Sequence, residues 1–424
     1  MSGDLTLTIV DGVRVVVPDR LDHATPYVLR EQGDWFEHEI RFLRRALQPG
    51  GKAVDIGANY GLYTLSMART VGPLGHVWAY EPASRTHAFL ARSVQANQFS
   101  QVTAERSAMS DRPGTGHLTS LEQPELNSLR EGAGADTEEV PLVTLDERMH
   151  SLGWSDIDFL KLDAEGVEEA ILAGGRRFLT EMCPMVQVEL GDANTPNLRT
   201  LDTLAGMGYR PYRVVPGLGV LVPLDPDTGP DPFLLNAMCC RPERARALAD
   251  RGLLFDHPLP AAAYGGDAAT LYRGSRETTR PMRERLALLL GAFTAAQRLA
   301  PMHSGHMSST TLACAARDLG ERVAAIGQLG MLATALLEGE PPGLAEAFTL
   351  PCERYARVPA GTRRREWAFA CVNEEFERLY AWSSFYDPES SAARLQLLEQ
   401  LGFLGPEMAT RLDLIRRRQA ERPA

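Results

Sequence analysis

Three carboxylates and a pair of glycines stand out for the chemistry their spacing permits. In the stretch Val54-Asp55-Ile56-Gly57-Ala58-Asn59-Tyr60-Gly61, Gly57 and Gly61 allow a tight turn and let a ligand approach the backbone closely. A short apolar run precedes this loop and a helical pattern follows it, so amides at a helix N-terminus face the turn and favour an anionic group. Glu81, in Tyr80-Glu81-Pro82, lies 20 residues beyond Gly61 at the end of the next strand pattern. A carboxylate at that place accepts both hydroxyls of a ribose. Farther on, Lys161, Asp163 and Glu165 alternate along a strand and its exit, which directs Asp163 and Glu165 toward the carboxyl edge of a sheet.

These residues narrow the ligand. The loop is not G-x-G-x-x-G, which disfavours a pyrophosphate-bearing dinucleotide, and no Gly-Lys-Ser/Thr follows to make a P-loop. Asp55, standing where a third glycine would otherwise be, suits a ligand that carries an ammonium. S-adenosylmethionine offers an ammonium, a sulfonium and a ribose together. A glycine-rich structural turn is the competing reading, and Glu81 with the strand–helix–strand context weighs against it.

The elements that must hold these groups follow from periodicity. Leu5, Leu7 and Ile9, then Val13, Val15 and Val17, alternate about Asp11-Gly12 and predict a hairpin. Trp35 to Leu47 has helical spacing and stops at Pro49-Gly50-Gly51. From Lys52 on, strands at 53–56, 76–80, 102–104, 158–162 and 185–190 alternate with helices at 62–71, 84–97, 167–172 and 198–207, the pattern of a parallel sheet covered on both faces. A terminal hairpin at 210–215 and 219–222 is expected beyond them. The segment 122–139, rich in Gly, Glu and Asn, reads as a loop over the cleft.

Pro223 to Pro232 has linker composition, and the chain beyond about 240 is rich in Ala, Leu, Arg and Glu. Helices are expected near 244–251, 281–300, 309–337, 363–382, 390–401 and 407–418. The domain reading is a hairpin and helix over 1–48, an α/β cofactor domain over 49–225 and a helical domain over 240–424. A net charge of -11, with 44 basic against 55 acidic side chains, argues against coating nucleic acid, which requires neutralising phosphates. The 6 cysteines show no C-x-x-C spacing, which fits a reducing compartment. The N-terminus lacks a leader pattern, and the longest apolar stretch, 286–296, falls short of the roughly 20 residues a span needs. A cytoplasmic protein is expected.

The sequence resembles the FkbM family of class I S-adenosylmethionine-dependent methyltransferases. The resemblance rests on Asp55–Gly61, Glu81-Pro82, Ser107-Ala108-Met109-Ser110-Asp111, Val143-Thr144-Leu145-Asp146 and, most specifically, on Asp158-Phe159-Leu160-Lys161-Leu162-Asp163-Ala164-Glu165-Gly166-Val167-Glu168 followed by Ile171-Leu172-Ala173-Gly174-Gly175. It covers about residues 30–222 and implies a seven-stranded Rossmann-like fold and methyl transfer, usually to oxygen, on sugars, polyketides and other secondary metabolites. It further implies that Asp55, Gly57, Ala58, Asn59 and Gly61 surround the methionine portion, that Glu81 holds the ribose and that Ser107 and Ala108 flank the adenine. Asp163 would lie by the sulfonium methyl, and Glu189 would end the fifth strand.

Methyl transfer is an in-line displacement that requires alignment of the nucleophile, removal of the hydroxyl proton and exclusion of water. Asp163 is the candidate for orienting the acceptor or taking its proton, with Glu189 beside it; a plain contact from Asp163 to the cofactor's ammonium is the alternative. Related enzymes hold magnesium at such strand ends, which makes Asp163, Glu189 and Asp192 weak metal candidates, but no metal is expected. Glu165 and Glu168 suit the first turn of a helix, and Lys161 suits a carboxylate partner. His303 and His306 read as surface or capping residues, Trp35 and Phe36 as a core contact or a cleft wall. The aromatics from Trp367 to Tyr386 read as core or dimer contacts, and the Arg363–Arg365 and Arg416–Arg418 runs as solvated faces. The expected partner is a small-molecule or glycan acceptor, with no nucleic acid and with a homodimer formed through the helical half. A scaffold protein with a vestigial methyltransferase domain is the reading from another class.

Overall fold

A computed structural model describes residues 3–119, 129–130, 137–164, 166–191, 198–226, 230–257, 266–299, 306–339 and 363–421. Contacts divide the chain into two compact units, residues 1–214, 223–230 and 234–254 in the first and 215–222, 231–233 and 255–424 in the second. The first opens with the expected hairpin, β1 (Asp4–Thr8) and β2 (Arg14–Pro18), paired antiparallel about Gly12. Ser93 and Asn97 accept hydrogen bonds from the amides of Val16 and Arg14, at 2.8 and 2.9 Å, and so occupy the open edge of β2. Two helices follow, α1 (Ala24–Gln32), which the sequence pattern does not announce, and α2 (His38–Ala46).

The main sheet is built from β3 (Lys52–Ile56), α3 (Leu62–Val71), β4 (His76–Tyr80), α4 (Ser84–Asn97) and β5 (Val102–Glu105). An antiparallel subsheet comes next, from β6 (Ala108–Met109), β7 (Gly114–Thr119), β8 (Leu129–Arg130) and β9 (Thr137–Val143). It takes up part of the expected cleft loop, whose residues 122–128 and 131–136 lie outside the described residues. The alternation then resumes with α5 (Leu145–Ser151), β10 (Phe159–Leu162), α6 (Glu168–Ala173), α7 (Arg176–Met182), β11 (Met185–Glu189), α8 (Leu198–Gly206) and β12 (Arg210–Val215), followed by β13 (Val220–Pro223), β14 (Asn236–Cys240) and α9 (Pro242–Asp250).

The strand order is β13-β12-β14-β11-β10-β3-β4-β5. Pairings among β11, β10, β3, β4 and β5 are parallel, and β14 is antiparallel to both β11 and β12. From β3 the chain builds outward through β4 and β5, then returns to β10 on the other side. The crevice where that order reverses is where an open α/β sheet receives its ligand. β14 corrects the sequence reading, which has no strand there. Its five residues are all buried, so they show no alternation to separate them from a linker.

The two faces of the sheet differ. Val54, Ile56, Leu160, Leu162, Val186 and Val188 bury against Ile171, Leu172, Phe178, Leu179, Leu201 and Leu204 of the covering helices. Fully burying each such side chain is worth roughly 1.5–3 kcal/mol. On the opposite face the cross-strand row is polar, because Lys161 pairs in register with Asp55 on one side and Gln187 on the other.

The second unit is helical: α10 (Ala268–Arg276), α11 (Met282–Leu299), α12 (His306–Leu319), α13 (Arg322–Glu338), α14 (Arg364–Tyr380), α15 (Pro388–Leu401) and α16 (Pro406–Glu421). The single helix expected over 309–337 is two. Gly320 takes φ 84°, and the amides of Gly320 and Glu321 turn back to Arg317 and Ala316, which closes one helix before the next begins. Leu329, Leu332, Leu336, Phe369, Val372, Leu395, Leu398, Leu412 and Ile415 share one core, with Trp367 and Phe376 packed on it. Phe376 stacks on Tyr380 at 5.2 Å, and Arg394 covers both rings. These aromatics are core and core-rim groups. Arg416 pairs with Glu399 at 2.6 Å, as a solvated basic face does. His303 lies outside the described residues.

Candidate active site

Four strand ends set the site. Ile56 pairs with Tyr80 on one side and with Leu162 on the other, and Leu162 pairs with Val188. One step beyond that register stand Glu81, Gly57, Asp163 and Glu189, side by side along the carboxyl edge. The β3–α3 loop is shaped to this row. Gly57 takes φ 72°, and a Cβ there would come within 1.8 Å of the Asp163 carbonyl oxygen. Gly61 takes φ 92° and presses on Leu90, where a Cβ would meet a side-chain carbon at 2.5 Å. Asn59, at φ 51°, uses its own side chain to accept from the Tyr60 amide at 2.8 Å, which steadies a left-handed turn.

Glu81 ties the loop to the next strand. One carboxylate oxygen accepts from the Asn59 amide at 2.8 Å and the other from the Ala83 amide at 2.9 Å. The amides of Gly57 and Ala58 both donate to the Tyr80 carbonyl. Burial pushes the Glu81 carboxyl up to about 7, against the pull of the two amides it accepts from.

Asp55 lies one residue back from the edge and is fully buried. Thr64 Oγ1 donates to its Oδ2 at 2.5 Å, while Oδ1 is buried with no hydrogen-bond partner. Burial raises its pKa, and the nearby Lys161 charge and the Thr64 hydroxyl oppose that rise. Lys161 Nζ donates to Asp163 Oδ2 at 2.7 Å and lies 4.0 Å from Asp55 Oδ1. Burial works against the ammonium, but Asp163 and Asp55 together outweigh it and hold its pKa above the ordinary lysine range. The carboxylate partner expected for Lys161 is therefore Asp163.

Four further residues, Tyr63, Gln187, Glu37 and Glu39, join this network outside the motifs. Tyr63, in the first turn of α3, donates its hydroxyl to Glu37 Oε2 and accepts from Gln187 Nε2 at 3.0 Å. Its ring lies 5.1 Å from Lys161 Nζ. Glu37, at the N-terminus of α2, is half-buried, and its pKa is raised by burial and further by Asp163, with the Tyr63 hydroxyl opposing. Glu39 is deeply buried, and burial with Glu37 alongside pushes it up to about 8. The sequence signal for part of this set is present: Asp55, Lys161 and Gln187 interrupt three apolar strands at equivalent positions. Trp35 and Phe36, next to Glu37, are half-buried with ring centroids 4.5 Å apart.

The remaining expected residues fall at the edges. Ser107 is buried and donates to Glu105 Oε1 at 2.9 Å, and Ala108 is buried against Ala83, Leu118 and Val140. Glu189 is half-buried at the end of β11, opposite Asn236 of β14. Glu168 accepts from the amides of Ala164 and Gly166, at 3.2 and 3.1 Å, as a first-turn cap would. Asp192, Asn194 and Glu165 lie outside the described residues. Among the described residues no three His, Cys, Asp or Glu side chains cluster as a metal-holding group.

Comparison with known proteins bears on this arrangement. The family model described as the methyltransferase FkbM domain matches residues 55–211. No curated protein matches the chain. Among solved structures, the FkbM methyltransferase of Methylobacillus flagellatus KT is 17% identical with a TM-score of 0.30, covering 46% of this chain and 44% of its own. An rRNA methylase from Streptococcus thermophilus is 10% identical with a TM-score of 0.29, covering 48% of this chain and 93% of its own. A SAM-dependent O-methyltransferase from Thermotoga maritima is 14% identical with a TM-score of 0.28, covering 56% of this chain and 77% of its own. Residues 55–211, which hold the β3–α3 loop, Glu81, Lys161, Asp163 and Glu189, match the family model of the methyltransferase FkbM domain.

Proposed function

We propose that the chain takes S-adenosylmethionine as methyl donor and transfers the methyl group to a hydroxyl oxygen of a saccharide, a glycan or a small secondary metabolite. The observation that carries this is Asp55 Oδ1, a buried carboxylate oxygen with no hydrogen-bond donor, set behind a glycine turn at the switch point of the sheet. A buried carboxylate oxygen without a donor is costly, and a ligand ammonium is a group that answers it. Gly57, Ala58, Asn59 and Gly61 shape the cradle for the amino-acid portion. Each oxygen of Glu81 accepts one amide and retains a lone pair for a ribose hydroxyl. Ser107 and Ala108 border the adenine.

When bound, the donor supplies a methyl group on a sulfonium, an electrophile that needs only an aligned nucleophile. Asp163 and Glu189, at adjoining strand exits, orient the acceptor hydroxyl and receive its proton. Trp35 and Phe36 offer an aromatic wall beside Glu37, which suits the apolar face and hydroxyl rim of a sugar. In this proposal the enzyme needs no metal, works in the cytoplasm, where scattered thiols stay reduced, and pairs with a second copy through its helical unit.

The test is calorimetry with S-adenosylmethionine, followed by product mass spectrometry after incubation with the donor and extracts of the source cells, with and without a chelator. Micromolar binding and a mass gain of one methyl on an oxygen, unchanged by chelator, are expected. Failure of the folded protein to bind the donor would end the proposal. Binding with no transfer to any acceptor would point to a scaffold.

A further inference from the structure

We propose that Lys161 is a positioning residue: a built-in counter-cation that offsets the burial of Asp55, so that the ammonium of the methyl donor meets a charged Asp55 on arrival. The inference rests on the methyl-donor reading above and assigns a role to a residue that reading leaves unused.

The geometry singles it out. Lys161 sits in β10, whose four residues are all buried, and its side chain is 5% exposed. An ammonium in a sheet interior is expensive and persists only where it is paired. Its neighbours along the strand, Phe159 and Leu160, are wholly apolar positions, so packing alone does not call for a charge here. What surrounds Nζ is acid: Asp163 at 2.7 Å and Asp55 at 4.0 Å.

The two distances differ in meaning. At 2.7 Å the ammonium is hydrogen-bonded to Asp163. At 4.0 Å it supplies charge to Asp55 Oδ1 without occupying it, and that oxygen has no other partner. One cation thus serves two carboxylates and leaves one oxygen ready for a second cation.

The groups facing Lys161 come from every element around it. Asp55 comes from β3, Glu81 from the end of β4, Glu37 from the start of α2, Tyr63 from α3, and the neutral Gln187 from β11. With Asp163 from its own strand exit, four carboxyls face a single ammonium. Removing it would leave Asp55, with no exposure to water, holding a proton. A protonated Asp55 does not attract an ammonium and must release that proton when one binds. Lys161 accordingly sets the proton count of donor binding, which a purely structural lysine would not.

The probe is S-adenosylhomocysteine, titrated calorimetrically at pH 7.5 in two buffers of different ionisation enthalpy. Wild-type protein should release less than about half a proton, the share left to Glu81, which lies near 7. Lys161→Met should release about one proton, bind about 10–100-fold more weakly at pH 7, and recover affinity as pH rises toward 8.5. Lys161→Arg, which keeps the charge, should return the wild-type proton count.

A full proton released by wild type overturns the proposal, and this count decides the matter if Lys161→Met fails to fold. So does a Lys161→Met deficit that is the same at every pH with no added proton release. Absence of any S-adenosylhomocysteine binding by folded wild type would instead remove the methyl-donor reading, and this proposal with it.

Discussion

In the helical unit, the Glu377 carboxylate is 1% exposed and has both oxygens occupied, Oε1 by Arg394 and Oε2 by Ser391, with Arg411 at 3.6 Å. In the α/β unit, Asp55 is as deeply buried, yet only one of its oxygens has a donor and its cation stands 4.0 Å away. Both cost desolvation; the first is met by donors on both oxygens, the second by one donor and a cation held at a distance. On the proposed reading, the difference separates a charge that holds helices together from one that receives a ligand. The Glu377 cluster joins α14, α15 and α16 through Arg394 and Arg411, so its role is complete without a partner. The Asp55 site lies at the sheet's switch point, and its donor-free oxygen is what the proposed donor site rests on.

Substitutions can break this contrast at either end. Glu377→Ala should have the largest effect, about 3–5 kcal/mol of lost stability, because it strands Arg411 and Arg394 without their carboxylate. Thermal unfolding checks this, and donor affinity measured below the transition should not change. Gly57→Ala should come next. A left-handed position and a Cβ 1.8 Å from the Asp163 carbonyl oxygen leave no room for a methyl, so about 3 kcal/mol of strain is expected, with donor binding abolished in calorimetry.

Asp55→Ala should cost about 100-fold in donor affinity, or roughly 2.7 kcal/mol, with a smaller change in melting temperature than Glu377→Ala. If Asp55→Ala destabilised the fold as strongly as Glu377→Ala and left affinity intact, the contrast would fail. The smallest effect is one of pH. Glu81 ionises at about 7 in the folded protein against 4.5 for an unperturbed glutamate, so the fold favours its neutral form below that range and loses this contribution as pH rises through about 7. In the proposed site the ionised form accepts the ribose hydroxyls, so donor affinity should increase by up to about tenfold per unit from pH 6 toward 7 and level off above. Glu81→Gln should flatten that profile.

Much of the α/β unit was legible because its strands and helices carry their own periods. The helix 62–71 and the strand 76–80 were readable to the residue, since glycines and a buried apolar face bound each one. Asp55, Gly57, Gly61, Glu81 and Asp163 were readable because a strand–turn–helix places them at one edge. Glu37 and Tyr63 were not, because neither stands in a motif and their meeting depends on how α2 and α3 pack over β10 and β11. The strand Asn236–Cys240 escaped for a related reason: buried on both faces, it has no alternation to reveal it. In the helical unit, the pause at Gly320 is a single glycine within an otherwise continuous helical pattern, and only the φ 84° turn shows that it ends a helix.

By itself the order of residues determined the alternating α/β layout, the glycine turn and the acids at its rim, since each depends on neighbours a few positions apart. Only the tertiary structure decided that Lys161 lies between Asp55 and Asp163, that one oxygen of Asp55 goes unanswered and that Glu377 is fully engaged. Those facts arise from strand register and helix packing between residues distant in the chain, and from burial, which turns a modest Coulomb attraction in water into a determining one.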